Sequence, residues 1–326
     1  MKRRLQIVML ACIAMGLCAF TSNLHALDYP TKIIRIIIPF PAGGQTDIFG
    51  RILAQKMSEN LGQQVIIDNR AGASGIIGTS IMVKSPPDGY TLLLTATHIA
   101  ANLNLYKTMP YDTIKDITPL TMIASSPNVL LAHPSLKANN IKELIAMAKK
   151  EPGRINFAST AVGGNNHLSG ELLKSMAGID IEHIPYKGGA PALNDLLGGH
   201  VSLMFNTIGA SLPHIKSGKL KVLGITSAQR SALAPDIPTI AESGVPGYES
   251  VSWFSLFGPA KMPKELVDRI YNEVAKVLRM ADVKEKFMAS GAEVGGETPE
   301  KFTAFFNSEI KKWAKVIKEC GIQHSM

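Results

Sequence analysis

The sequence predicts an α/β protein of two lobes, with mostly parallel sheets and two strands that cross from one lobe to the other. Short β-branched runs alternate with segments of helical period, which is the pattern of βαβ units. The same alternation starts again after Pro134. The residues after Pro259 are mostly helical and hold too few strands for a lobe of their own, so we expect them to pack back onto the first lobe.

The first lobe is predicted to open with a strand that is buried on both faces. Its run KIIRIIIPF, residues 32–40, is almost continuously apolar and β-branched. Gly62 ends the helix that follows, and Pro86-Pro87-Asp88-Gly89 is a strong turn signal before the third strand. The predicted strands are residues 32–40, 65–67 and 91–95, and the predicted helices are residues 47–61 and 76–84.

The second lobe is predicted from the same alternation. Pro152-Gly153 and Gly198-Gly199 mark the ends of two of its helices. We expect strands at residues 155–159, 181–186, 201–205 and 220–226, and helices at residues 141–150, 165–176 and 191–197. The C-terminal helices are predicted at residues 263–279 and 299–319.

Two apolar stretches are predicted to carry the chain between the lobes. The first, residues 120–131, is broken in sequence by Ser125-Ser126-Pro127, and the second is residues 251–259. The first lobe is then discontinuous, with limits 27–124 and 253–326, and the second lobe is inserted as residues 125–252. This arrangement predicts a ligand cleft between the lobes.

Residues 1–26 predict a secretory signal peptide. Lys2-Arg3-Arg4 is a basic start, residues 5–20 are apolar, and small and polar residues lead to a cleavage site near Ala26. Cleavage would remove Cys12 and Cys18 and leave Cys320 as the one thiol, so the mature chain would have no internal disulfide. These features predict an exported protein of the bacterial periplasm, and we expect a monomer.

Composition and motifs exclude several classes of protein. The 326 residues are 46% hydrophobic and 18% charged, as in a globular chain. The net charge of +8 includes no block of Lys and Arg with interleaved aromatic residues, so no nucleic-acid groove is expected. Signature motifs of nucleotide, zinc and serine-nucleophile sites are absent. The spacing of His167 and Glu171 favours a hydrogen bond at the surface or within the lobe, and the sequence around His183 favours a satisfied core histidine. The sequence predicts no catalysis, cofactor or metal.

Three predicted strand-to-helix turns contain adjacent glycines, at residues 39–47, 159–165 and 186–191. Glycine lets the backbone approach a ligand closely, and the first amides of each following helix lack intrahelical partners, so each turn can hold an anion. Lys187 is the one Lys or Arg in these turns, which favours a carboxylate over a highly phosphorylated ligand. Asp47 has two interpretations, a favourable charge in a first helical turn or a ligand contact.

Five segments carry a family resemblance. They are PFPAGGQTD, HLSGELLKSMAGI, HIPYKGGAPALNDLLGGHVSLMF, PDIPTIAESGVPGYE and WFSLFGPAKMP. They closely resemble the Bug proteins, the TctC-like periplasmic substrate-binding components of tripartite tricarboxylate transporters. The resemblance implies a two-lobe Venus-flytrap fold, the type II periplasmic-binding-protein arrangement. It also implies capture of a small di- or tricarboxylate, acidic amino acid or aromatic carboxylate for delivery to the permease subunits of the transporter.

The resemblance also implies which residues bind the ligand, with bridging waters. They are Phe40, Ala42, Gly43, Gly44, Asp47, Thr97, Thr160, Ala161, Gly163, Asn165, Lys187, Gly188, Gly189, Ala190 and Asn206. The sequence departs from the family at Asn165-Asn166, where Ser or Thr often precedes His-Leu, and at Asn206, where an acidic residue is common. An Asn side chain is both donor and acceptor, so it can meet an amide, hydroxyl or ring nitrogen on the ligand.

Two other functions stay open from the sequence. The same fold and site would serve a sensory protein whose closed form docks on a membrane sensor kinase. The other alternative is a periplasmic hydrolase or isomerase that uses Asp47 and a cleft histidine such as His98. Turnover of a bound carboxylate by the purified protein would decide for the enzyme.

Overall fold

The computed structural model describes residues 29–159, 163–186 and 188–322. Residues up to Thr31 form one contact unit, and the fold below belongs to the second unit, which starts at Lys32. The predicted signal peptide, its cleavage site, Cys12 and Cys18 lie outside the described residues. Among the residues that are described, no helix is both long enough and apolar enough to cross a membrane, and Cys320 is a free thiol.

Three parallel strands and their helices build one side of the molecule. Strand β1 (Ile34–Ile38) pairs in parallel with β2 (Val65–Asn69) and with β3 (Thr91–Ala96). All residues of β1 except Arg35 are buried, as predicted for a strand that is covered on both faces. The helices of this side are α1 (Gln45–Leu61), α2 (Ile76–Val83) and α3 (His98–Leu105), and a 3-10 turn at Ala73–Gly75 precedes α2.

The long strand β4 (Ile117–Ala132) leads into the second side, which repeats the same pattern. Strand β5 (Asn156–Ser159) pairs in parallel with β6 (Glu182–Pro185) and with β7 (Leu203–Thr207). Strand β8 (Lys221–Ile225) adds to β4 in antiparallel orientation. The helices of this side are α4 (Ile141–Lys150), α5 (Asn165–Ala177), α6 (Gly189–Leu197) and α7 (Ile208–Lys216).

Strand β9 (Val251–Pro259) returns the chain and pairs antiparallel with both β3 and β4. The described strands therefore form one sheet in the order β2-β1-β3-β9-β4-β7-β5-β6, with β8 and the short β10 (Glu293–Val294) also paired to β4. The pairs within each side are parallel, as predicted, and the pairs of the crossing strands are antiparallel. The break expected at Ser125-Ser126-Pro127 is wrong, because β4 stays paired with β9 through Pro127 and Val251.

The C-terminal helices are α8 (Lys264–Arg279), α9 (Ala281–Ala289) and α10 (Pro299–Glu319). Helices α8 and α9 contact α1, whereas α10 packs against α3 and β4. Asn60 of α1 donates to Glu273 of α8 at 2.6 Å. Lys56 pairs with Asp282 of α9 at 3.0 Å.

A buried carboxylate fixes α10 to the crossing strand β9. Glu309 is 4% exposed and accepts hydrogen bonds from the indole Nε1 of Trp253, at 2.9 Å, and of Trp313, at 3.0 Å. Lys312 forms an ion pair with the same carboxylate. Phe306 packs edge-on against Trp253, with ring centroids 6.1 Å apart. This cluster sets the position of β9, which runs through the middle of the sheet.

Candidate functional site

The predicted ligand residues lie on loops that follow the parallel strands of both sides. In open α/β sheets, ligands bind outside the carboxyl ends of the strands. Most of the implied residues follow β1, β3, β5 and β6 at those ends, and Asn206 is the penultimate residue of β7. Thr160, Ala161 and Lys187 lie outside the described residues, so the structure says nothing of their side chains.

The loop after β1 is held by Asp47, the third residue of α1. Gly43 has a left-handed φ of +85°, and its amide donates to Asp47 Oδ2 at 2.9 Å. Arg51 Nε donates to the same oxygen at 2.8 Å, and Asn69 Nδ2 donates to Oδ1 at 3.0 Å. The carboxylate of Asp47 is therefore fully engaged inside the protein, which favours the structural interpretation over the ligand contact.

The electrostatics of this loop follow from the same contacts. Burial alone would raise the pKa of Asp47, but the hydrogen bonds from Arg51, Gly43 and Asn69 outweigh it and hold that pKa below its ordinary value. Asp47 is thus ionised near neutral pH, and Arg51 neutralises it. The loop presents no free charge of either sign from these residues to a ligand.

The loop after β5 is built in the same way. Gly163 has a left-handed φ of +75°, and its amide donates to Nδ1 of His167, the third residue of α5, at 3.0 Å. The second glycine of each pair is the extended N-cap of its helix, with φ −77° at Gly44 and −71° at Gly164. The pattern Gly-Gly-x-x-(Asp or His) therefore gives both sides one loop geometry, which the sequence alone did not reveal.

These contacts decide which amides are free. The amides of Gly43 and Gly163 donate to side chains of their own loops, and the assignment of these two glycines to the ligand site stays a prediction. At the start of α1, the amides of Gly44, Gln45 and Thr46 have no acceptor in the described part of the chain. At the start of α5, the amides of Gly164 and Asn165 likewise have no acceptor among the described residues. Free amides at a helix start, with the helix dipole behind them, suit an anion.

The third glycine loop precedes α6. Gly188 has φ +119° and ψ 169°, a region that is open essentially to glycine alone. A Cβ at this position would have no neighbour within 4 Å, so the space beside the backbone is open. Gly189 and Ala190 are the first residues of α6 and supply two further amides at a helix start.

Two of the implied ligand residues are tied to the crossing strands. Thr97 is 2% exposed, and its hydroxyl accepts from the amide of Trp253 in β9 at 3.2 Å. Asn165 donates to the carbonyl of Val251 at 3.3 Å and accepts from Asn128 of β4 at 2.6 Å. These side chains connect the ligand loops to both crossing strands, so a movement of either strand would shift the hydrogen-bond partners of the loops. Ala42 is exposed, and Asn206 is buried on β7.

An aromatic contact places His98 at the same edge. His98 is the first residue of α3, and its ring centroid lies 5.4 Å from that of the half-buried Phe40. The ring of Phe40 also lies near Gly75, whose added Cβ would be 3.6 Å from Phe40 Cζ. The 3-10 turn at Ala73–Gly75 is therefore part of this edge, although its sequence predicted only a turn.

The strained 3-10 turn is clamped by α3. Ala73 and Ser74 have left-handed φ values of 45° and 50°, which cost energy in residues with a Cβ. Asn102 Nδ2 donates to the Ser74 carbonyl at 3.0 Å, and the Tyr106 hydroxyl donates to Ser74 Oγ at 2.9 Å. Gly72 and Gly75 indicated a turn in the sequence. The hydrogen bonds that hold Ser74 come from a distant helix and could not be predicted from the turn itself.

The two sides meet at Gly163. A Cβ on this residue would lie 2.7 Å from Leu105 Cδ1, at the end of α3. The loop after β5 therefore touches the helix that follows β3, and glycine allows this approach. In this structure the sheet edges that carry the ligand loops of the two sides therefore lie close together.

A stacked pair of histidines supports the loop after β5. The rings of His167 and His183 are 3.8 Å apart, and His183 Nε2 is 2.6 Å from Ser159 Oγ. His167 Nε2 is 3.6 Å from the buried Glu171 carboxylate, longer than a normal hydrogen bond. His183 is half-buried and hydrogen-bonded to Ser159, so its ring is satisfied but lies at the margin of the core, and His167 accepts a hydrogen bond from the Gly163 amide.

Acidification from about pH 7 to 4.5 is expected to destabilise the protein. Burial, followed by the field of His167, lowers the pKa of His183 to about 4, and burial lowers the pKa of His98 to about 4. Because the unfolded state takes up these protons first, stability is full above about pH 6.5 and falls until about pH 4. Solvent screens the two half-buried rings, so we expect a loss of roughly 1–2 kcal/mol for each histidine. Urea unfolding at both pH values measures this, and His183→Gln should show a smaller loss; an equal loss in the variant would contradict it.

A groove of about 460 Å³ beside the crossing strands is a poor alternative site for an anion. Its lining includes Trp253, Phe302, Phe305, Arg230, Glu249, Glu293 and Glu297. Three carboxylates against one guanidinium would repel a carboxylate, and none of the implied ligand residues lines it. No group of three or more potential metal ligands occurs within the described ranges. The glycine loops are therefore the candidate site.

The chain is similar to receptors of one transporter family. A family model described as "Tripartite tricarboxylate transporter family receptor" matches residues 49–322. BugT of Bordetella pertussis is 39% identical over 323 residues, which cover 98% of this chain and 98% of that protein. Rpa4515 of Rhodopseudomonas palustris, solved with adipate, is 40% identical with a TM-score of 0.76 over 90% of this chain and 99% of that one. MatC of the same organism, solved with bound malate, is 29% identical with a TM-score of 0.73 over 89% and 100%.

Proposed function

The chain belongs to the TctC-like Bug family of periplasmic solute-binding proteins, and we propose that it captures a small carboxylate in the cleft between its two lobes. Family membership sets it among binding proteins and not enzymes. The two structural relatives were solved with adipate and with malate, which are both dicarboxylates. This shared chemistry supports a carboxylate ligand for the present chain.

The observation that carries the proposal is the pair of matching glycine loops. In each loop the amide of the first glycine donates to a side chain of the loop itself. The amides that follow have no acceptor among the described residues, at Gly44 and Gln45 on one side and at Gly164 and Asn165 on the other. A carboxylate between them would accept charge-assisted hydrogen bonds from both lobes, directly or through water. The third loop, at Gly188, would add amides from the second lobe.

Closure of the cleft is part of the same proposal. We assign residues 27–124 and 253–326 to the first lobe, residues 125–252 to the second, and the hinge to the crossing strands β4 and β9. Asn165 contacts both strands, and Thr97 contacts β9, so the ligand loops are coupled to the hinge. A saturating ligand is expected to compact the protein in small-angle X-ray scattering.

A thermal-shift panel tests the ligand class. We expect adipate, malate or a related acid to stabilise the purified mature chain by about 2.7 kcal/mol at 100 times its dissociation constant. The matched controls are the corresponding diamides, which keep the shape and lose the charge. Equal stabilisation by acid and diamide, or no stabilisation by any acid of the panel, would contradict carboxylate capture.

Delivery to a membrane permease is the physiological role we propose. Export by the signal peptide, with cleavage near Ala26, would place the loaded protein beside the permease subunits of a tripartite tricarboxylate transporter. Cells that lack this protein should lose uptake of the labelled acid, and periplasmic re-expression should restore it. Unchanged uptake in these cells would contradict the role in transport and leave the proposed binding of the acid untouched.

A further inference from the structure

We propose that His98 contacts the bound ligand and that its Nε2–H donates a hydrogen bond to a second oxygen group of the acid. The site would then select dicarboxylates and hydroxy acids over simple monocarboxylates. This inference rests on the proposed capture of a carboxylate, and it concerns the part of the ligand away from the carboxylate that the helix amides hold.

The position of His98 is fixed by its neighbours. It follows directly on Thr97, whose hydroxyl accepts from the backbone of β9, so the start of α3 is attached to the sheet. Because β1 and β3 are parallel neighbours, the loop after β1 and the start of α3 lie at the same edge of the sheet. The imidazole lies beside Phe40, which precedes the N-cap Gly44 by four positions and belongs to the loop itself.

The hydrogen-bonding state of the ring decides its tautomer. His98 Nδ1 is buried and has no partner, whereas the ring as a whole is only partly buried. Within residues 29–159, 163–186 and 188–322 no group hydrogen-bonds Nε2, and Nε2 is not among the buried unpaired atoms, so it lies on the more accessible side of the ring. A buried N–H without an acceptor would be costly. The proton therefore belongs on Nε2, where a ligand or water can accept it.

The ring is also neutral. Burial lowers the pKa of His98 to about 4, and its place at the start of α3 works in the same direction, because the positive end of the helix dipole disfavours a second proton. A neutral Nε2–H is a donor without a charge. It suits the oxygen of a carboxylate or a hydroxyl group, and it offers nothing to the methyl end of a monocarboxylate.

Three variants at one position test the inference. His98→Phe keeps a ring beside Phe40 and removes the donor; His98→Gln places an amide near the position of Nε2, and His98→Asn places it near Nδ1. The probes are adipate and hexanoate, which differ by one carboxylate, with malate and butyrate as a second pair. His200→Phe is the control, because His200 is exposed and follows the C-terminal end of α6, the end opposite to the Gly188 loop.

Calorimetric titration should show that the effect of each variant depends on whether the ligand has a second carboxylate. We expect His98→Phe and His98→Asn to weaken adipate or malate binding about tenfold and to leave the matched monocarboxylate unchanged, while His98→Gln stays close to the parent protein. A merely structural role would change both ligands of a pair alike, and that outcome overturns the inference. Tighter binding of the monocarboxylate by the parent chain also overturns it. Failure of the parent chain to bind any acid would instead overturn the proposed function.

Discussion

Replacement of Glu309 by Ala is expected to lower the free energy of unfolding by about 2–5 kcal/mol. The change leaves the indole N–H groups of Trp253 and Trp313 buried without an acceptor, and each such group costs about 1–3 kcal/mol. The two groups belong to the chain's two tryptophans, so intrinsic fluorescence during urea unfolding reports directly on this cluster.

Glu309→Gln is the matched variant, because its amide oxygen keeps one acceptor for the indoles and removes the charge. It should cost much less than Glu309→Ala. Glu300→Ala, at an exposed position in the first turn of α10, should change stability little. A Glu309→Ala protein as stable as the parent would show that the two indoles find other partners.

Gln45→Pro is expected to weaken carboxylate binding about 10–100-fold without unfolding the protein. Proline removes the backbone N–H at the first position of α1, one of the free amides assigned to the ligand, and a hydrogen bond to a charged group contributes about 1.5–3 kcal/mol. Proline is favoured at this helical position, and the preceding Gly44 already has the extended conformation that a following proline requires.

The control for this variant is Gln45→Ala, which removes the same side chain and its bond to the Ser290 carbonyl but keeps the amide. Calorimetry on both variants, with thermal unfolding to check the fold, isolates the effect of one N–H. Equal affinity of the Pro and Ala variants would rule out the Gln45 amide as a ligand contact.

Much of the fold could be predicted because each element carries its own pattern. Helix α4 was predicted at its observed limits, residues 141–150, because it is amphipathic and stands between clear turn signals. Helices α3, α7 and α9 were missed for local reasons. Helix α3 is only eight residues long, α7 contains Pro213, and α9 is separated from α8 by Met280 alone.

The candidate site was predictable in position but less so in detail. Adjacent glycines before helices located the loops, since close approach and free amides follow from local chemistry. Which amides of each loop are free depends on which side chain of the following helix accepts a hydrogen bond from the first glycine. Asp47 and His167 occupy the same position after their glycines, yet one is an anion and the other an imidazole, so their equivalence is visible only in the contacts. The ligand contacts themselves stay predictions, including those of Thr160, Ala161 and Lys187, whose placement is not described.

The position of β9 in the sheet has a consequence for the order in which the chain can fold while it is synthesised from the N-terminus onward. Strand β9 lies between β3 and β4, so the parallel strands β1 to β3 have no neighbour on that edge until residue 259 is available. The strands β4 to β8, by contrast, are complete at residue 225. The inserted half of the molecule can therefore assemble first, while the half that begins earlier in sequence waits for contacts of high sequence separation, which are slow to form. A chain stopped before β9 would expose a long sheet edge open to association with other chains.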